Sequence, residues 1–135
     1  MSEEQEAIRT FTLREARSLI PKLRTLFARL NKEREVLVKM NDELQRAREK
    51  AEANGGTPQG VAYLTHLTAF STMVHKVQSL GVLIKDFHTG LIDFPYEYEG
   101  RIVYLCWKTD EDDIDWWHEI EAGFAGRQLL TEDFE

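Results

Sequence analysis

Seven residues in the last third of the chain carry side chains that can do chemistry: Asp86, Asp93, Cys106, Glu111, Trp117, His118 and Arg127. Asp86 and Asp93 flank Thr89-Gly90, so they bracket a turn, and their relation depends on its register. With a two-residue Thr89-Gly90 loop, Asp86 stands opposite Asp93. Two carboxylates side by side are costly unless a cation or a shared proton lies between them. With a three-residue loop starting at His88, Lys85 stands opposite Asp93 instead, and the contact is an ordinary cross-strand ion pair. Cys106 and His118 are donors for a divalent metal, with Asp86, Asp93 or Glu111 as further ligands. Catalytic zinc takes three protein ligands and an open position, and structural zinc usually takes four. One Cys and one His without a close-spaced fellow is a sparse signature, and the competing reading of Cys106 is a small buried hydrophobe. A Cys106–His118 nucleophilic pair also fits the residue types, although spacing does not fix its geometry. No cofactor other than a divalent metal is suggested.

The remaining motifs each have two readings. Trp107, Trp116 and Trp117 either form a stacking platform or close a small core between sheet and helix. Gly123-Phe124-Ala125-Gly126-Arg127 either offers backbone N–H groups and a guanidinium to an anion, or makes a turn whose arginine pairs with a nearby acid. His66 and His75, nine residues apart, suit no simple metal pair and read as surface or seam residues.

These side chains must be positioned by a frame whose pattern is clearer. Thr12 and Glu15 form a capping box that starts a helix. From there Ala16, Leu23, Leu30, Leu37, Leu44 and Ala51 recur every seven residues, with Leu19, Leu26, Met40 and Ala47 as a second seam and Glu33 as its break. Ile20 and Phe27 widen the stripe. Sustained heptads predict a long helix in coiled-coil-like packing, kinked or broken at Pro21, which lacks an N–H. Asn54-Gly55-Gly56-Thr57-Pro58 predicts the stop and restart: Gly55 as a C-terminal cap, Thr57 as N-cap, Pro58 at the first helical position. A shorter antiparallel helix then runs to about Leu80, capped by Gly81. At ~1.5 Å per residue the first helix is roughly twice as long as the second, so the partner runs out near residue 33. Leu19, Ile20, Leu23, Leu26, Phe27 and Leu30 then need other cover, from the C-terminal third or from a second copy.

That C-terminal third reads as a three-stranded antiparallel meander, Val82–Phe87, Leu91–Phe94 and Arg101–Trp107, separated by Gly90 and by residues 96–100. A short helix over Ile114–Ala122, closed by Gly123, follows the acidic stretch Asp110–Asp113. The expected fold is therefore α+β in a single domain, 1–135. The helical hairpin occupies 11–81 and the meander with its terminal helix 82–127. Residues 1–10 and 128–135 read as flexible.

Composition narrows the classes. Hydrophobic residues make up 42% of 135 and charged residues 30%, enough for a packed core rather than disorder. No uncharged apolar run approaches the ~20 residues of a membrane span, and the acidic N-terminus is no signal peptide. One cysteine excludes an intrachain disulfide and points to a reducing cytoplasm. The net charge of −7 disfavours nucleic-acid binding. It is uneven, +4 over residues 13–53 and −9 over 54–135, as expected if the basic half packs on the acidic half or meets an acidic partner.

Lys85-Asp86, then Thr89-Gly90-Leu91-Ile92-Asp93-Phe94-Pro95, Gly100-Arg101, Leu105-Cys106-Trp107, Glu111, Ile114, Trp117-His118 and Gly123–Arg127 form a distinctive series. With the opening Phe11–Ala16 and Leu19–Pro21, it resembles a family of bacterial proteins catalogued as a domain of unknown function. The resemblance spans most of the chain, with Asp110-Glu111 standing where the family pattern has Gly-Glu, and it implies no particular activity. The functional expectation is a non-catalytic interaction protein that self-associates through its long helices, most simply as a dimer. The alternative is a small-molecule or metal-binding protein, in one version an enzyme, with its site in the Trp-rich C-terminal segment.

Overall fold

The computed structural model describes residues 8–50 and 58–135. The capping box forms: Glu15 N–H donates to Thr12 Oγ1 at 3.0 Å and Thr12 N–H to Glu15 Oε1 at 2.8 Å, opening α1 (Leu13–Ser18). The long helix then breaks at Leu19, and α2 runs over Ile20–Lys50. Pro21 is the cause. Its ring crowds the carbonyl four residues back and supplies no donor to it, and Leu19 N–H turns instead to Ala16 O at 3.1 Å. The third helix, α3, covers Pro58–Gln78 and packs on α2. It ends in a tightening turn closed by Gly81 at φ +96°. Ala51 and the Gly55 and Thr57 caps lie outside the described residues.

Glu33, the charged break in the seam, has a partner: His66 Nδ1 lies 2.6 Å from its Oε2. That contact corrects the expected overlap of the helices. His66 sits in the first half of α3, so most of α3 extends beyond residue 33 toward the α2 N-terminus, where Val77 is fully buried. The front end of α2 is covered from two sides. Ile20, Leu23, Leu26, Phe27 and Leu30 share one core with Val77 and with Ile92, Phe94, Val103, Leu105 and Trp107 of the sheet. The cover comes from the same chain.

The sheet has five strands where three were expected. They run β1 (Leu83–Asp86), β2 (Leu91–Tyr98), β3 (Arg101–Lys108), β4 (Trp116–His118) and β5 (Gln128–Leu129), antiparallel and in sequence order. A two-residue turn, Glu99-Gly100 with both φ positive, joins β2 to β3, the geometry that matches strand twist. The predicted helix over Ile114–Ala122 is absent, and β4 occupies its centre. Trp116-Trp117-His118 completes the otherwise open edge of β3, with Trp117 packed against Tyr98 and Phe134. Edge pairing and aromatic burial outweigh local helix preference here. A 3-10 turn, Phe124–Gly126, then leads into β5.

Residues 128–135, read from the sequence as flexible, are held. Phe134 stacks on Tyr98 with centroids 4.4 Å apart, and Leu13 N–H donates to Glu135 O at 2.7 Å. The basic and acidic halves also meet within the chain. Arg17 pairs with Asp113 at 3.1 Å, and Arg24 donates to Glu111 O at 2.7 Å.

Candidate metal centre

Three adjacent strands each present one buried polar side chain: Asp93 from β2, Cys106 from β3 and His118 from β4. The register explains the grouping. Asp93 stands opposite Cys106, Cys106 opposite Trp116, and His118 opposite Tyr104. Directly opposed residues, and residues two apart on a strand, share a face. Asp93, Tyr104, Cys106, Trp116 and His118 therefore lie on one face, while Phe94, Leu105, Trp107 and Trp117 lie on the other, inside the hydrophobic core with the helices. The polar trio occupies the face turned away from the helices. Cys106 is fully buried yet stands outside that core cluster.

Potential donor atoms of the three residues lie within 4.8 Å of one another. Asp93 is 1% exposed and His118 3%. His118 Nδ1 lies 2.8 Å from the Glu119 carbonyl oxygen. A carbonyl only accepts, so Nδ1 carries a proton and Nε2 is the nitrogen turned to Asp93 Oδ2, at 3.1 Å. A hydrogen bond there holds one proton between imidazole and carboxyl. Asp93 Oδ1 is buried and has no hydrogen-bond partner among the described residues. Burial raises the Asp93 carboxyl above its ordinary value, against the pull of His118, Lys85 and the neighbouring Cys106 thiol. Burial, reinforced by the Asp93 charge, pushes the Cys106 thiol up to about 12.

This arrangement suits a cation. A neutral histidine oriented by an Nδ1–H bond to a carbonyl offers its Nε2 lone pair in the manner of a metal ligand. Tetrahedral zinc bond lengths place ligand atoms roughly 3.3–3.6 Å apart, so the trio, within 4.8 Å, contracts by at most roughly 1.5 Å at its widest to close on an ion. The same geometry does not support the Cys106–His118 nucleophilic pair. Both His118 nitrogens face oxygens, Glu119 O and Asp93 Oδ2, and burial holds the thiol up, so His118 is not placed as a base for Cys106.

The other sequence candidates separate. Asp86 is not in the site. A bulge sets Leu83, rather than Lys85 or Asp86, opposite Asp93, and Asp86 Oδ2 accepts from Thr89 N–H at 2.9 Å and Thr89 Oγ1 at 2.6 Å. Both anticipated registers are thus corrected, because the turn spans residues 87–90. Trp117 faces the core. Glu111 and Arg127 lie beside the trio but engage each other: Arg127 Nη2 reaches both Glu111 oxygens at 2.8 and 2.9 Å. Arg127 is stacked between Trp116 and Phe124, centroids 4.9 and 4.7 Å away. Arg127 thus pairs with Glu111 and the segment makes a turn, but Gly123 closes no helix over Ile114–Ala122; Trp107 and Trp117 are buried in the core. Tyr104, edge-on to the His118 ring at 5.6 Å with Lys85 Nζ over its own ring, was not anticipated. The signal for it was strand periodicity: it precedes Cys106 by two residues.

No described helix is long and apolar enough to cross a membrane. A family model described as "Uncharacterized conserved protein (DUF2203)" matches residues 9–130, and the chain belongs to that family. No curated protein and no solved structure matches the chain.

Proposed function

We propose that this DUF2203 protein binds a divalent metal of the zinc class through Asp93, Cys106 and His118. The observation that carries the reading is the buried, unpartnered Asp93 Oδ1 beside two further donor side chains. A buried carboxyl whose hydrogen-bonding neighbours are only the His118 ring and the Cys106 thiol, with Oδ1 lacking a hydrogen bond of normal geometry, is costly. A cation supplies its missing partner, displaces the shared proton on His118 and makes the Cys106 thiolate affordable. The thiolate–imidazole–carboxylate set favours zinc over magnesium or calcium, which prefer all-oxygen shells. Three protein donors leave one position of a tetrahedral ion for water or a small ligand, the pattern of a catalytic rather than a closed structural site. A reducing cytoplasm, the compartment that single-cysteine usage suggests, keeps Cys106 available.

The test is elemental analysis of protein purified without chelator or affinity tag, followed by cobalt titration of the metal-free form. One equivalent of metal, and a sulfur-to-cobalt charge-transfer band that Cys106→Ser removes, is the expected result. Sub-stoichiometric metal together with an octahedral, solvent-like cobalt spectrum overturns the proposal.

A further inference from the structure

Two polar atoms of the sheet are buried with opposite needs. Asp93 Oδ1 is an acceptor that lacks a donor in normal geometry, and Arg127 Nε is a donor with no acceptor among the described residues. The register places Cys106 between them. Asp93, Cys106 and Trp116 form one cross-strand row on the face turned away from the helices. The Arg127 guanidinium lies over Trp116, 4.9 Å from its ring centroid. Directly opposed side chains stand about 5 Å apart, so the guanidinium is beside Cys106 on the side away from Asp93. Its Nη2 donates to the Cys106 carbonyl oxygen at 3.4 Å, and its charge acts on the thiol in favour of the thiolate.

The ion pair with Glu111 does not account for this placement. A guanidinium meets a carboxylate best through two nitrogens, yet here Nη2 alone serves both Glu111 oxygens. Glu111 is also fixed without Arg127. Lys108 N–H donates to its Oε1 at 2.8 Å, and Trp107 Nε1 and Arg24 Nη2 donate to its carbonyl oxygen at 3.0 and 2.7 Å. The stack between Trp116 and Phe124 then holds Nε out of reach of solvent, and a buried donor without an acceptor is destabilising. A neutral thiol is a weak acceptor. A metal-bound thiolate is a strong one, and hydrogen bonds to coordinating sulfur tune metal sites.

We infer that Arg127 is the positioning residue and charge partner of Cys106 in the metal-bound state, its Nε–H donating to the sulfur once the sulfur is a thiolate. The inference rests on the metal reading proposed above. Binding breaks the Cys106 S–H bond, forms the sulfur–metal bond and passes the proton to solvent. The proton shared by Asp93 and His118 leaves the same way, so two protons exchange for one divalent ion. Glu111 holds Arg127 in place, while its own charge opposes the thiolate.

Cobalt titration of the metal-free full chain and three variants tests this. Arg127→Met keeps an apolar side chain between Trp116 and Phe124 and removes the charge and the donor. Its cobalt affinity is expected to fall at least tenfold. Spread over two displaced protons, a tenfold loss raises the pH of half-saturation by about half a unit. The sulfur-to-cobalt band should move to longer wavelength as the sulfur loses its hydrogen bond. Arg127→Lys restores the charge without the planar donor set and should recover part of the affinity. Glu111→Gln keeps an acceptor for Lys108 and Arg127 and removes the opposing charge, so cobalt should bind as tightly as in the parent or tighter. A purely structural ion pair predicts equal losses in Arg127→Met and Glu111→Gln, tracking urea stability, with the band unmoved. That result overturns the inference, as does parental affinity in Arg127→Met, and both leave the metal reading standing. A parent protein that takes up no cobalt overturns the two together. Where Arg127→Met does not fold, the band position in Arg127→Lys and the affinity of Glu111→Gln decide.

Discussion

Asp93 and His118, 25 residues apart in sequence, meet at 3.1 Å on the side of the sheet that faces away from the helices. The contact depends on β4 being a strand. As a helix, residues 114–122 would carry His118 away from the sheet. As an edge strand opposite Tyr104–Cys106, they deliver it two residues diagonally from Asp93. The same alternation that puts Trp117 into the core puts His118 into the polar cluster, so packing on one face fixes ligand geometry on the other.

This division of labour predicts a trade between stability and binding at Asp93. Asp93→Asn removes the desolvated charge but keeps an amide able to donate to His118 Nε2. The metal-free variant is expected to be as stable as the parent or up to about 2 kcal/mol more so, with the thiolate–cobalt spectrum lost or weakened at least tenfold. Asp93→Ala leaves His118 unpartnered in the same buried place and should cost about 3 kcal/mol. Urea denaturation of the metal-free proteins measures both. An asparagine variant as damaged as the alanine one would mean that the carboxylate serves the fold rather than an ion.

Phe27 offers a test of how the α2 front end is covered. It is 1% exposed and shares the core with Trp107 and Phe94. Phe27→Ala should cost about 3–5 kcal/mol, whereas Leu64→Ala, at an exposed position of α3, should cost less than about 0.5 kcal/mol. Both are read from chemical denaturation at low micromolar concentration. Near-neutral behaviour at Phe27 contradicts the intrachain cover.

The helices were legible because their signals are local. Thr12-Glu15 and the seven-residue repeat act within a few turns, and Pro21 interrupts the helix through its own ring and missing donor. The turn at 87–90 and strand β4 were not, because each is decided by remote groups. The four-residue turn and the bulge between Ile84 and Asp86 each slide β1 by one residue relative to the nearer of the anticipated registers, which separates Asp86 from Asp93. The edge of β3 overrides the helical look of Ile114–Ala122. The site was half visible. Asp93, Cys106 and His118 stand out as residue types, but their convergence needs β4, and Asp86 looked equally eligible until Thr89 claimed its carboxylate. Phe134 is not legible in the sequence, because an isolated aromatic beyond the patterned segments has no periodicity to announce it.

Acid should loosen the periphery before the core. Thr89 hydrogen bonds hold Asp86 below the ordinary carboxylate value, Arg101 holds Glu119 below its own, and Thr131 with Tyr98 holds Asp133 down. A carboxylate whose folded value is depressed contributes stability above its unfolded value, near 4, and that contribution disappears as pH falls through the folded value. Stability is therefore expected to decline below about pH 4. Arg101→Met should move the Glu119 titration upward while leaving Asp86 unchanged, as followed by carboxyl carbon NMR. A Glu119 midpoint that ignores the loss of Arg101 refutes the assignment.

Gly90 sets the register that keeps Asp86 out of the site. It adopts φ +69°, and a Cβ built there would come within 2.3 Å of Thr109 Oγ1 and 2.8 Å of Thr109 Cγ2. Thr109 has little freedom to retreat, because its N–H donates to Gly90 O at 3.1 Å and its hydroxyl to Thr89 O at 3.4 Å. Gly90→Ala therefore incurs both the left-handed backbone penalty, about 1 kcal/mol, and a steric one, for a total near 2–3 kcal/mol. Adding Thr109→Ala removes the Oγ1 and Cγ2 contacts but not the backbone penalty, so the double variant should recover part of the loss. Thermal unfolding of the two single variants and the double variant closes this cycle. Strict additivity would show that Gly90 is required for its conformation alone, and recovery of about half the loss would show that the close approach of β3 to the turn also requires a residue without a side chain.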